Sequence, residues 1–263
     1  MYETPIYDTL ELEVRDRVAH LMLNRPEAAN GISLELAREL MHATLAIAAD
    51  TRARVVLLSG AGSRFCGGGD LKSFAAEDDL AVQLRETLAF LHAAMAQLVR
   101  GDAPVVAAVQ GSAAGAGIGL VGAADLVVAG ESAKFVMAYT GVGLTPDGAS
   151  SWFLPRLVGL RRAIELTLTN RVLSAHEALD WGLVTMVVPD EDVAGTASEL
   201  AARLAQGSAG ALAGAKRLLH ASLEGTLESH LAREADEIIA AARRSDAAEG
   251  IAAFLAKRPP EFQ

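Results

Sequence analysis

A single cysteine, Cys66, stands in the 263 residues, which excludes an intrachain disulfide, and the sequence shows no four-ligand Cys/His zinc pattern. A lone thiol fits a reducing compartment. Cations are short as well: 23 Lys and Arg face 33 Asp and Glu, a formal net charge of -10. That balance disfavours a general nucleic-acid surface, because neutralising phosphates requires clustered positive charge. Any anionic ligand must be held by a few local cations. No charged-then-apolar leader opens the chain. The most apolar tract, 105–130, is interrupted by glycines and carries Asp125, which reads as buried α/β core and not as a membrane span. A soluble cytoplasmic protein with no nucleic-acid or membrane partner is expected. Fixed-period repeats and low-complexity linkers are missing too. With 51% hydrophobic residues the chain can bury one large core and a modest appendage.

What the chain has in quantity is glycine at strand exits. Arg64-Phe65-Cys66-Gly67-Gly68-Gly69-Asp70-Leu71 and Gln110-Gly111-Ser112-Ala113-Ala114-Gly115-Ala116-Gly117-Ile118-Gly119-Leu120 each follow a run of β-branched residues. Small residues let the main chain approach a ligand closely, and a helix opening after the loop adds its positive dipole end. Two such loops can aim two N–H groups at one point, an oxyanion hole; the plainer reading is tight turn geometry alone.

Around these loops, Leu10–Val14, the Arg15-Asp16-Arg17 turn and Val18–Leu23 alternate as a hairpin. Ser33 opens a helix with Leu36, Leu40, Leu45 and Ile47 at roughly helical spacing, ending near Ala49, and Val55–Leu58 follows as a buried strand. A long helix from about Asp79 to Val99 leads to strand Val105–Val109, a short helix, and strand Leu126–Val128. Strands alternating with helices predict a mainly parallel sheet with right-handed crossovers. Beyond Pro146 nearly everything except Val184–Val188 has helical spacing; Ser174-Ala175-His176-Glu177 reads as a capping box, and Asp192 and Asp246 as N-caps.

Phe65–Leu71 and Gln110–Asp125 resemble the two oxyanion loops of the crotonase superfamily, the enoyl-CoA hydratase/isomerase family. Leu23-Asn24-Arg25-Pro26 with Asn30 resembles its N-terminal signature. Ala178–Val184 and Glu249–Arg258 resemble its later elements, the last its closing helix. The resemblance implies an α/β fold built as a spiral of ββα units, with an acyl-CoA-binding core over 1–200 and a C-terminal helical trimerisation region over 201–263. It further implies an acyl-coenzyme A substrate with no separate cofactor and no metal, and assembly as a homotrimer or dimer of trimers. Gly69 and Ala116 would supply the oxyanion N–H groups. Coenzyme A would be met by Arg25, Arg64, Gly67, Asp70, Leu71 and Lys72, and by Phe254 and Lys257 of a neighbouring subunit's closing helix. Singly, each of those cations is also an ordinary surface charge. Segments 73–88 and 152–157 would wall the acyl pocket.

Hydratases of the family carry two glutamates at positions that here correspond to Gly119 and Tyr139, both placed by the resemblance at the substrate pocket. Asp147, in Leu144-Thr145-Pro146-Asp147-Gly148, resembles the base of the family's ring-epoxide isomerase branch. One carboxylate suffices to take a proton from C2 of a thioester and return it at C4, whereas hydration must also activate water. Nearby helix N–H groups are expected to keep Asp147 ionised. On spacing alone, Asp147 reads first as a helix N-cap, Tyr139 as either a core aromatic or a pocket wall, and Cys66 as a small buried residue. None of the six histidines is assigned a role. Two rivals remain: an acyl-CoA binder without turnover, and a NAD-dependent oxidoreductase suggested by Gly117-Ile118-Gly119-Leu120-Val121-Gly122, whose following helix is too short for a dinucleotide crossover.

Overall fold

The computed structural model describes residues 6–76 and 78–263; the chain's opening, where no leader is expected, lies partly outside them. Strands β1 (Leu10–Arg15) and β2 (Val18–Leu23) form an antiparallel hairpin. Its turn places Asp16 and Arg17 at φ 50 and 66, the paired positive angles of a tight two-residue turn. Helix α1 (Leu34–Ala49) begins where Ser33 accepts the Leu36 N–H, as the sequence predicts. Its buried face is Leu36, Leu40, Ala43, Thr44 and Ile47; Leu45, expected on that face, is exposed because it sits about 100° around the helix from Thr44.

The chain continues through β3 (Val55–Gly60), α2 (Leu71–Ala75), α3 (Leu80–Arg100), β4 (Val105–Val109), β5 (Ser112–Ala114), α4 (Ala116–Ala123), β6 (Leu126–Gly130) and β7 (Lys134–Val136). Then come α5 (Ser150–Leu157), α6 (Leu160–Thr169), β8 (Leu173–Ser174), α7 (Ala175–Asp180), β9 (Met186–Val188) and α8 (Val193–Ala205). Helices α9 (Ala209–Ala221), α10 (Leu227–Ala242) and α11 (Ser245–Ala256) end it. A six-stranded sheet has the order β1-β2-β3-β4-β6-β9, parallel from β2 onward, and β5-β7-β8 form a second, smaller sheet. Two isolated parallel bridges, Ile32 with Gly69 and Cys66 with Ala113, extend that second layer. Each turn of the chain thus leaves one strand in the large sheet, one short stretch in the small one, and then a helix. This is the expected ββα spiral.

The large sheet is covered on both faces, which is why its strands read as continuous apolar runs. Val56 and Leu58 join the main core under α1, α3 and α4, while the alternate Val55 and Leu57 pack with Val193, Ala197 and Leu200 of α8. The division expected at residue 200 falls inside α8, whose packing on the sheet continues to Ala205. Asp192 occupies the N-cap position of α8, but its side chain makes no cap hydrogen bond. Asp246 lies inside the first turn of α11, whose N-cap is Arg244. There its carboxylate accepts from the Gln263 N–H of the returning tail. The capping box at Ser174 and Glu177 forms in full. No helix among the described residues is long and apolar enough to cross a membrane.

Candidate active site

The two glycine loops are neighbouring rungs of the small sheet. Cys66 donates to Ser112 O at 3.1 Å and its carbonyl accepts from the Ala114 N–H at 2.9 Å. The same register carries the loops onward to Gly68 beside Gly115. A methyl group on Gly68 (φ 90) would meet Ala114 O at 2.8 Å, and one on Gly115 (φ 50) would lie 3.5 Å from the Gly68 Cα. The residues that follow this contact are Gly69 and Ala116. Ile32 donates to Gly68 O and accepts from the Asp70 N–H, so the N–H of the intervening Gly69 points away from Ile32. The Ala116 N–H, at the first position of α4, has no intrahelical acceptor. Among the described residues neither N–H has an acceptor, and the two leave neighbouring segments side by side. Phe74 closes the space behind Gly69, where a methyl group would meet its ring at 2.7 Å.

Asp147 and Tyr139 complete the site. A methyl group on Gly148 would touch the Ala116 Cβ at 3.3 Å and the Leu91 side chain at 3.6 Å, which puts the Asp147-Gly148 turn against the second loop. Gly115 lies beneath the Tyr139 ring, 3.8 Å from its Cζ on the same measure. The Tyr139 hydroxyl donates to Asp147 Oδ1 at 2.6 Å. Tyr139 is thus both a buried aromatic and a partner of the carboxylate. Asp147 does not cap α5: the N-cap is Ala149, and only the main-chain carbonyl of Asp147 receives the Ser150 N–H and hydroxyl. The helix N–H groups expected to hold its charge are therefore absent from the carboxylate, and a phenol takes their place. Burial pushes the Asp147 carboxyl above 3.8, while the Tyr139 hydrogen bond and the charge of His92 on α3 offset part of that rise. Burial and the neighbouring carboxylate push the Tyr139 hydroxyl up in turn, so it remains a donor.

Gly119 is buried, and a Cβ there would run into the Gly148 carbonyl oxygen. The three glycines of the apparent dinucleotide fingerprint face protein: Gly117 packs on Cys66, Gly119 on Gly148 and Gly122 on Phe153. All of α4, eight residues long, is buried. Burial also pushes the Cys66 thiol up to about 11, which leaves it a neutral core group. Among the expected coenzyme contacts, Gly67, Arg64, Leu71 and Lys72 are exposed around the first loop. Arg25 and Asp70 are instead paired with each other at 2.8 Å. Phe254 is 83% exposed on α11, and Lys257 ends that helix at φ 54; α11 packs against α10. Within the segment 73–88, Glu77 lies outside the described residues. Sequence reasoning did not find the Tyr139–Asp147 hydrogen bond or His92. The first spans eight residues of the β7–α5 connection with no regular spacing, the second comes from α3, distant in sequence, and neither has a local motif.

A parallel ββα spiral whose successive turns present two free main-chain donors beside one carboxylate defines a crotonase-type enzyme. A family model described as enoyl-CoA hydratase/isomerase matches residues 13–263, and the chain belongs to that family, which acts on acyl-CoA substrates. It is similar to a probable enoyl-CoA hydratase of Rhodobacter capsulatus, at 40% identity over 97% of this chain and 98% of that one. It is also similar to the 1,2-epoxyphenylacetyl-CoA isomerase of Escherichia coli K12, at 39% identity over 95% and 96%. Among solved structures, an enoyl-CoA hydratase/isomerase from Mycobacterium abscessus superposes with a TM-score of 0.93 at 36% identity, covering 97% of this chain and 99% of that one.

Proposed function

We propose that this enzyme is an acyl-CoA isomerase, shifting a double bond or isomerising a ring epoxide through a thioester enolate. The thioester carbonyl oxygen sits between the Gly69 and Ala116 N–H groups, where one such donor is worth about 3–4 kcal/mol in the transition state. Asp147 removes the C2 proton and returns it at C4, and Tyr139 holds the carboxylate in place through the transfer. Coenzyme A enters as part of the substrate, and the scheme uses no other cofactor. Arg64 and Lys72 meet its phosphates, with Phe254 and Lys257 arriving from a neighbouring copy in a trimer or a dimer of trimers.

Relatives bearing both hydratase and isomerase names match at nearly equal identity, so the choice rests on the carboxylates. Its support is that the Asp147-Gly148 turn fills the space a glutamate at 119 would need, while Tyr139 stands at the second hydratase position and binds Asp147. One proton carrier fits isomerisation and leaves water without an activating partner. Asp147→Asn keeps an oxygen for the Tyr139 hydroxyl; it should retain acyl-CoA affinity and lower isomerase turnover by roughly 10²–10⁴. Wild type and variant are compared on a 3-enoyl-CoA and a 2-enoyl-CoA. Fast water addition by the wild type, or unchanged isomerisation by the variant, overturns the reading.

A further inference from the structure

Gly69 carries no side chain, so something other than its own packing must fix the direction of its N–H. The residues on either side supply that restraint. Gly68 O and the Asp70 N–H both bond to Ile32, at 2.7 and 3.0 Å, and Arg25 reaches across both partners of this bridge. One guanidinium nitrogen donates to the Gly31 carbonyl at 2.5 Å, just before Ile32. The other donates to Asp70 Oδ2 at 2.8 Å, just after Gly69. The ion pair is largely buried, with side-chain exposures of 19% and 11%. Asp70 spends its second oxygen on the Ser73 N–H, capping α2. Arg25 is itself fixed: Asn30, fully buried, accepts the Arg25 N–H through Oδ1 at 2.8 Å and donates to the carbonyls of Ala61 and Arg64. A planar fork of this kind can hold a carboxylate and a carbonyl at once, which an ammonium on a flexible stem does less well.

We propose that Arg25 is a positioning residue for the first oxyanion donor: by clamping Gly31 and Asp70 together it holds the Gly69 N–H on the thioester oxygen. This rests on reading Gly69 and Ala116 as the oxyanion donors. It also assigns Arg25 a different task from the coenzyme A phosphate contact that the family resemblance implies. Its charge is already met by Asp70, and a phosphate would have to compete with that carboxylate.

The two tasks separate in experiment. A conjugated aryl-enoyl-CoA bound to the wild type should show a red-shifted absorbance band and a lowered thioester C=O stretch, both reporting polarisation of the carbonyl. In Arg25→Met most of that shift should vanish and kcat should fall about 10–100-fold, less than for outright loss of a donor, while KM changes less than about threefold. Arg25→Lys, able to pair with Asp70 but not to span to Gly31, should fall between. Asp70→Asn keeps the α2 cap and should reproduce the Arg25→Met spectrum, which covers the case in which Arg25→Met does not fold. If the variants retain the carbonyl shift and kcat but bind acyl-CoA more weakly, Arg25 serves the phosphates and the proposal is overturned. A wild-type complex with no carbonyl shift overturns the oxyanion reading beneath it, and the proposal with it.

Discussion

Asp147 is asked to be both buried enough to act as a base and ionised enough to start. Its carboxyl lies above the ordinary 3.8 because of burial, and the Tyr139 hydroxyl limits that rise by stabilising the charged form. The acid limb of kcat/KM should therefore lie above the position an ordinary aspartate would give. In Tyr139→Phe it should move further up, since the hydrogen bond that stabilises the charged carboxylate is lost. An unmoved limb in the pH–rate profile would dissociate Tyr139 from the base. The stability sign is the reverse of a salt-bridged aspartate: a carboxyl raised in the folded state costs stability once ionised. Asp147→Asn should accordingly raise the melting temperature at pH 7 while abolishing most turnover. Gly119→Glu tests the other hydratase position. It should gain no hydratase activity and should destabilise the fold by about 1–3 kcal/mol in denaturant titration, because the Gly148 carbonyl must move aside. The glycine loops and Asp147 were legible in the sequence because each is a local string. The partner of Asp147 was not, since Tyr139 reaches it across a turn with no regular spacing.

Elements with a long apolar period could be read from sequence to within a residue or two: the hairpin, α1 from its Ser33 cap, α3 from about Asp79, and the buried strands β3, β4 and β6. The second sheet could not. Its strands are two or three residues long, too short for period-two alternation to register. Helix α9 shows another limit, because Lys216 looks like a surface charge in sequence yet is 6% exposed. Its ammonium donates to Leu98 O and Ala103 O at 2.7 and 3.0 Å and pairs with Asp125 at 2.9 Å. Asp125 also accepts the Val105 N–H and faces His220. This cluster ties α9 to the end of α3 and the start of β4. Burial alone would raise the Asp125 carboxyl, but His220, Lys216 and the Val105 N–H bring it below 3.8. A depressed folded-state value means the stabilisation is present above about pH 4 and is lost as pH falls through the folded value. Lys216→Met, which strands Asp125, should cost about 3–5 kcal/mol at pH 7. Chemical denaturation at pH 7 and at pH 3 should show that difference shrinking in acid.

At the scale of the whole molecule, α10 buries none of its residues and α11 only Ala253. Leu227, Leu231, Ile238, Ile239, Ile251, Phe254 and Leu255 are left exposed. Faces of this kind are best covered by copies of the same chain. Light scattering at micromolar concentration should give a trimer or a multiple of it, and Leu231→Glu with Ile238→Glu should shift the mass toward monomer; a monomeric wild type would refute the assembly. The spiral has a metrical consequence for the chemistry. Gly69 and Ala116 each stand three residues beyond the paired Cys66 and Ala113, and chains that stay one interstrand repeat apart would hold their donors ~4.8 Å apart. An oxygen ~2.9 Å from both then views them at an angle of about 110°, close to the divergence of two lone pairs on an enolate oxygen. The bite of this chelate is thus set by the sheet register together with the turns at Gly68 and Gly115 that carry each chain past it. Substitutions that preserve the pairing of Cys66 with Ala113 and the positive-φ turns at Gly68 and Gly115 should leave the bite unchanged, whereas one residue inserted between Cys66 and Gly69 breaks the equal offset of the two N–H groups from that pair.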